Sequence, residues 1–138
     1  MRTVVDASVA LKWYFPESGA AGADRILTEA LEGGRELLAP DLIVVEFANV
    51  LWKKVRREEC SGEQAQAILE AFGTDAPRLV ESVPLVPRAL ELALRLDEVV
   101  YDCLYLAAAI EAEASLVTAD ARLARCARGV LADVERVG

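Results

Sequence analysis

The chain has 138 residues, of which 54% are hydrophobic, and a formal net charge of −8. That apolar share supports a packed core and excludes a disordered chain, while the acidic balance argues against nucleic-acid binding through bulk positive charge. Histidine is absent and Cys60, Cys103 and Cys126 are widely spaced, which excludes Ser-His-Asp and Cys-His catalysis and argues against zinc or a disulfide framework.

In chain order, Thr3–Asp6 reads as a buried strand, because Val4 and Val5 are β-branched and Asp6-Ala7-Ser8 turns into a helix start. A short helix follows over Ser8–Tyr14 and stops at Pro16. Ala20, Ala23, Leu27, Ala30 and Leu31 recur at helical spacing, giving a helix over Gly19–Glu32 that ends at Gly33-Gly34. Glu36–Ala39 is a second strand, and Asp41 is placed to cap a long helix from Leu42 to about Arg57. Its predicted core stripe is Val44, Phe47, Ala48, Leu51, Trp52 and Val55.

Ser61-Gly-Glu-Gln64 fits a capping box, opening a helix with Ala65, Ile68, Leu69 and Phe72 on one face. Gly73–Pro77 reads as a loop, Leu79–Val83 as a brief strand, and Pro87 as the start of a helix through Leu96 with Leu90, Ala93 and Leu94 inside. Asp102 opens the next helix, to about Glu113, which is apolar almost all round and therefore predicted to be buried. Ser115–Thr118 is a strand, Asp120 starts a short helix, and Val130–Val134 is a last strand. Strands alternating with helices imply a parallel sheet covered on both faces. No repeat or linker interrupts residues 1–138, so one domain is expected. No apolar run reaches membrane-spanning length, and Asp6 and Lys12 break up the N-terminal apolar stretch; a cytoplasmic protein without membrane association is the expectation.

Asp6, Glu46, Asp102 and Asp120 all fall at strand ends or in the helices that follow them. Strand ends of this kind open on one edge of a parallel sheet, where ligands bind. Carboxylates crowded there repel and need a cation to stay ionised, and oxygen-only ligation favours Mg²⁺ or Mn²⁺. The same three aspartates also suit helix N-caps, and Glu46 a solvated helix face. Glu46, Asn49, Lys53, Arg56 and Arg57 lie within a band of roughly 100° on the long helix, a stripe able to track a phosphate backbone or simply to face solvent. Lys12 and Lys54 are further possible phosphate contacts, and Ser8, Asn49 and Thr118 are placed to hydrogen-bond a ligand carboxylate or water. Tyr101 and Tyr105, beside Asp102, suit packing.

With these residues placed, the chain resembles the PIN domain family, and within it the VapC-type ribonuclease toxins. The resemblance rests on Val4-Val5-Asp6-Ala7-Ser8, Ala39-Pro40-Asp41-Leu42 through Glu46-Phe-Ala-Asn49-Val-Leu-Trp52, Tyr101-Asp102-Cys-Leu-Tyr105-Leu-Ala-Ala-Ala, and Leu116-Val-Thr118-Ala-Asp120-Ala-Arg-Leu123. It implies a three-layer α/β/α fold with a central parallel sheet of about five strands. It also implies RNA phosphodiester hydrolysis with Mg²⁺ or Mn²⁺ held by the four acids, Asp6 and Asp102 as direct ligands and Glu46 and Asp120 as ligands or water-orienting groups. The partners implied are RNA, a small VapB-like antitoxin that covers the active site, and a second copy joined through apolar surface of the early helices. A PIN-like scaffold without turnover and a housekeeping RNA-processing nuclease are the alternatives. Phosphoryl transfer to aspartate fits poorly, because position 8 is serine rather than a second aspartate and no lysine follows Lys54.

Overall fold

Five parallel strands in the order β3-β2-β1-β4-β5 form the middle layer of the computed structural model, which describes residues 1–75 and 77–138. The strands are β1 Arg2–Val5, β2 Glu36–Pro40, β3 Arg78–Val80, β4 Ser115–Thr118 and β5 Val134–Arg136; the helices are α1 Ala7–Leu11, α2 Ala20–Leu31, α3 Leu42–Arg56, α4 Gly62–Asp75, α5 Val86–Leu96, α6 Val100–Ala112 and α7 Ala121–Ala127. Side chains alternate across the sheet. Val4, Leu38 and Leu116 join the large core with α3, α5 and α6, while Val5, Leu37 and Val117 pack with Ala23 and Ile26 of α2. The result is the expected three-layer α/β/α fold.

The α6 helix is the central pillar. Cys103 through Ala109 are all buried, as its apolar circumference predicts. The capping box forms as read: Ser61 N–H donates to Gln64 Oε1 at 2.8 Å and Gln64 N–H to Ser61 Oγ at 3.1 Å.

Several local expectations are corrected. The first strand ends at Val5, and α1 stops at Leu11, because Trp13 and Tyr14 are taken up by tertiary contacts: the Trp13 indole donates to Ala23 O at 2.9 Å, and Tyr14 packs edge-on against Phe47. Asp41 makes no side-chain cap. Ser82 Oγ accepts the Leu42 N–H instead, and Asp41 Oδ1 accepts from Ser82 N, so α3 is started by a distant hydroxyl. On α3 the buried residues are Ile43, Phe47 and Leu51, and Trp52 is 55% exposed. The stripe is turned by the stacking of Phe47 on Phe72 of α4, with ring centroids 4.1 Å apart. That contact also carries α4 through Gly73 to Asp75, where a loop was expected; Ala76, in the same expected loop, lies outside the described residues.

The third strand covers Arg78–Val80 and is followed by a 3-10 turn at Val83–Leu85. On α5 the small Ala89 and Ala93 with Leu92 face inward, and Leu90 and Leu94 are exposed. Val130 and Leu131 N–H groups are claimed by Ala127 O in the turn after α7, so the last strand starts only at Val134. No helix among the described residues is long and apolar enough to cross a membrane.

Candidate active site

β1 and β4 are neighbours, but β1 continues to β2 on one side and β4 to β5 on the other. This is the topological switch point of the sheet, where a crevice opens beyond the carboxyl ends of the strands. Asp6 follows β1 directly. Thr118 ends β4, and Asp120 follows as the N-cap of α7. Glu46 sits in the second turn of α3, and Asp102 in the first turn of α6. All four carboxylates line one cleft of about 230 Å³, together with Ala7, Ser8, Leu11, Val50 and Tyr105.

Asp6 is the most constrained of the four. It is 6% exposed and caps α1 by accepting from Val9 N at 3.2 Å. Ser8 Oγ donates to its Oδ1 and Thr118 Oγ1 to its Oδ2. Each hydroxyl in turn accepts a backbone N–H from the turn after β4: Ser8 from Ala119 and Thr118 from Asp120, both at 3.0 Å. The hydroxyl protons are thereby committed to Asp6. Burial raises its pKa against these hydrogen bonds, and the neighbouring Asp120 adds to the rise.

The other three acids keep oxygens that no protein donor claims among the described residues. Glu46 Oε1 accepts from Tyr105 Oη at 3.1 Å, leaving Oε2. Asp120 Oδ1 accepts from Arg122 N and Leu123 N, leaving Oδ2. Asp102 is not an N-cap, a place held by Val99, and only burial and neighbouring charges act on its carboxylate. Burial pushes Glu46 up to about 7, with Asp102 and Asp6 adding repulsion. Burial pushes Asp102 up to about 6, with Glu98, Asp120 and Asp6 adding to it. This is uncompensated negative charge with free oxygen donors, a set that fits a hard divalent cation. No group of three acidic or thiol side chains among the described residues is drawn tightly enough to hold an ion unaided, so water would complete the shell, as Mg²⁺ commonly requires.

The structure brings Ser8 and Thr118 to the site but leaves Asn49 exposed and outside the cleft lining. Lys12 is tied to Ser18 O and Glu17, and Lys54 to Glu17 and Glu59. Lys53, Arg56 and Arg57 are exposed about two to three turns further along α3, with Arg56 over the Trp52 ring at 5.2 Å. Tyr105, read as packing, is a site residue missed from the sequence. It stands three residues after Asp102, on the same helix face, and a buried phenol needs a hydrogen-bond partner. Glu98, buried beside Asp102, carried no signal in the sequence.

Thr118→Val removes the donor to Asp6 Oδ2 and the acceptor for Asp120 N with little change of shape. A loss of roughly 10- to 100-fold in Mn²⁺ affinity is expected. Calorimetric titration checks it; unchanged affinity would mean that Asp6 is oriented without Thr118.

A family model described as PIN domain matches residues 3–129. The protein named Ribonuclease VapC3 from Pyrobaculum aerophilum is 34% identical over 126 residues, which cover 90% of this chain and 93% of the relative. Ribonuclease VapC1 from Mycobacterium tuberculosis is 36% identical over 106 residues, covering 75% and 77%. The crystal structure of PAE2754 from Pyrobaculum aerophilum superposes with a TM-score of 0.70 at 25% identity, covering 95% of this chain and 91% of that one.

Proposed function

The chain belongs to the PIN domain family, and from that premise we propose that it is a ribonuclease that hydrolyses RNA phosphodiesters with Mg²⁺ or Mn²⁺ at the carboxylate cleft. The observation that carries this reading is the convergence of Asp6, Glu46, Asp102 and Asp120 at the switch point, three of them with free oxygens. The names of the two relatives support the substrate class. When bound, the divalent cation supplies charge neutralisation at the phosphate and activation of water.

Asp102 and Asp6 would hold the cation, with Asp120 Oδ2 as a further ligand or water-orienting group. Ser8 and Thr118 orient Asp6 and lower its pKa against the rise caused by burial. Glu46 is fixed by Tyr105 through Oε1, and its Oε2, which no protein donor claims among the described residues, would take the proton of the attacking water. A pKa near 7 suits that task.

The same reading makes the protein a single-domain, cytoplasmic toxin of a two-component pair. An apolar groove of about 310 Å³ between α3 and α4, lined by Ala48, Leu51, Trp52, Val55, Ala65 and Leu69, offers a small VapB-like antitoxin a surface. The exposed Val86, Leu90 and Leu94 of α5 offer one to a second copy.

Incubation of the purified protein with structured and single-stranded RNAs tests the reading, with Mg²⁺, Mn²⁺ or EDTA. Cleavage in either metal and none in EDTA is expected. Mn²⁺ binding without cleavage of any RNA would favour the scaffold, and absence of both would overturn the four-acid site.

A further inference from the structure

Glu98 lies in the link between α5 and α6, between Asp97, with φ of 53°, and Val99, which starts α6. Its side chain is 1% exposed. Glu98 Oε1 accepts from Val99 N at 3.1 Å. Oε2 lies 2.9 Å from Arg122 Nε and accepts from Cys126 Sγ at 3.5 Å. Burying a carboxylate is costly, and a partner 66% exposed returns little stability. What the pair provides is a guanidinium held in one place.

Arg122 is fixed from two sides. Its backbone N–H donates to Asp120 Oδ1 at 2.8 Å, and its Nε edge rests on Glu98. A guanidinium carries five donors in a planar fork. Among the described residues no acceptor occupies its two terminal nitrogens, and the Arg122 side chain is 66% exposed. The charge is close enough to lower Asp102. Of the cations read from the sequence as phosphate contacts, Lys12 and Lys54 are paired with Glu17, and Lys53, Arg56 and Arg57 lie along α3, on the β2 side. Arg122 stands on the β4 side. A strand crossing four carboxylates in a protein of net charge −8 needs cations where it leaves as well as where it enters.

We infer that Arg122, aimed by Glu98, binds an RNA phosphate next to the scissile one on the β4 side of the cleft. The inference rests on the ribonuclease reading and adds to it a substrate-binding residue and a path for the strand, from the α3 cations across the cleft to α7. Guanidinium and phosphate match as a bidentate pair.

The test compares the parent, Arg122→Ala, and the double variant Glu98→Gln/Arg122→Ala. The double variant keeps the net charge and leaves no unpaired buried carboxylate, so it stands in if the single variant folds poorly. Each is prepared on an Asp6→Asn background to prevent cleavage. Binding of a fluorescent mixed-sequence single-stranded oligoribonucleotide is read by anisotropy with Mn²⁺ over a salt series. Both variants are expected to bind about tenfold more weakly, with the slope of log K against log salt shallower by about 0.7. Mn²⁺ affinity, measured by calorimetry without the Asp6 change, is expected to be no lower than the parent's. Parental RNA affinity and slope in the double variant would overturn the inference and leave the ribonuclease reading intact, as would a loss confined to Mn²⁺ affinity, which would make the pair a support for Asp102. A parent that neither binds nor cuts RNA would overturn both.

Discussion

Asp6→Asn lowers metal-dependent RNA cleavage by about a thousand-fold or more and leaves the metal-free fold within roughly 1 kcal/mol of the parent. The two halves of this expected result have one cause. Asp6 is buried, and its environment opposes its charge on balance: burial raises its pKa even though Ser8, Thr118 and Val9 all donate to it. An asparagine has no charge to desolvate. Its carbonyl can keep the Val9 and Ser8 hydrogen bonds, while its amide meets Thr118 Oγ1, which turns from donor to acceptor. The fold therefore loses one hydrogen-bond arrangement and gains relief from a buried charge. The site loses a carboxylate and gains an amide N–H where a cation would sit. Single-turnover cleavage at saturating Mn²⁺ measures the first half, and urea unfolding in EDTA the second. Cleavage within tenfold of the parent would remove Asp6 from the chemistry. A variant several kcal/mol less stable in EDTA would make Asp6 chiefly the cap of α1.

The expectation about Asp6 could be made from the sequence because its position is set locally. A β-branched run ending in Asp-Ala-Ser fixes a strand end and a helix start within six residues, and the parallel order then fixes the edge. Asp120 is legible for the same reason, and both turn out to serve as caps while lining the cleft. Asp102 is different: it does not cap α6, and the nearly unbroken apolar character of that helix made it stand out. What escaped the sequence is long-range. Tyr105 reaches Glu46 across 59 positions, and Arg122 is matched to Glu98 by folding alone. Ser82 replaces Asp41 as the cap of α3 from 40 residues away. The cationic stripe on α3 was read from angular position, which holds for any helix. Angle does not say which face the neighbouring helix will claim, so Trp52 was assigned to the core and is exposed.

The cation should also appear as stability, with a defined pH dependence. Glu46 and Asp102 titrate in the fold at about 7 and about 6, against ordinary values of 4.5 and 3.8. Between those limits the folded protein binds more protons than the unfolded chain, so metal-free stability falls as pH rises. The contribution of these two groups is fully present below about pH 4 and is lost as pH passes through 6 to 7. Other carboxylates act oppositely at lower pH: Glu29, held low by Arg35 and Arg25, loses its contribution as the medium turns acid. The expected metal-free profile thus declines from about pH 5 to pH 8. A divalent cation competes with those protons and compensates the repulsion where the acids are ionised. At a concentration about a hundredfold above its dissociation constant it adds about 2.7 kcal/mol, or roughly 10 °C in Tm, near pH 8. At pH 5 the same concentration adds only a small fraction of that. Thermal melts in EDTA and in Mn²⁺ across this range, repeated with Asp102→Asn, decide the matter. A Mn²⁺ shift equal at pH 5 and pH 8, or one that persists in Asp102→Asn, would place the cation elsewhere on this acidic protein rather than among the four carboxylates.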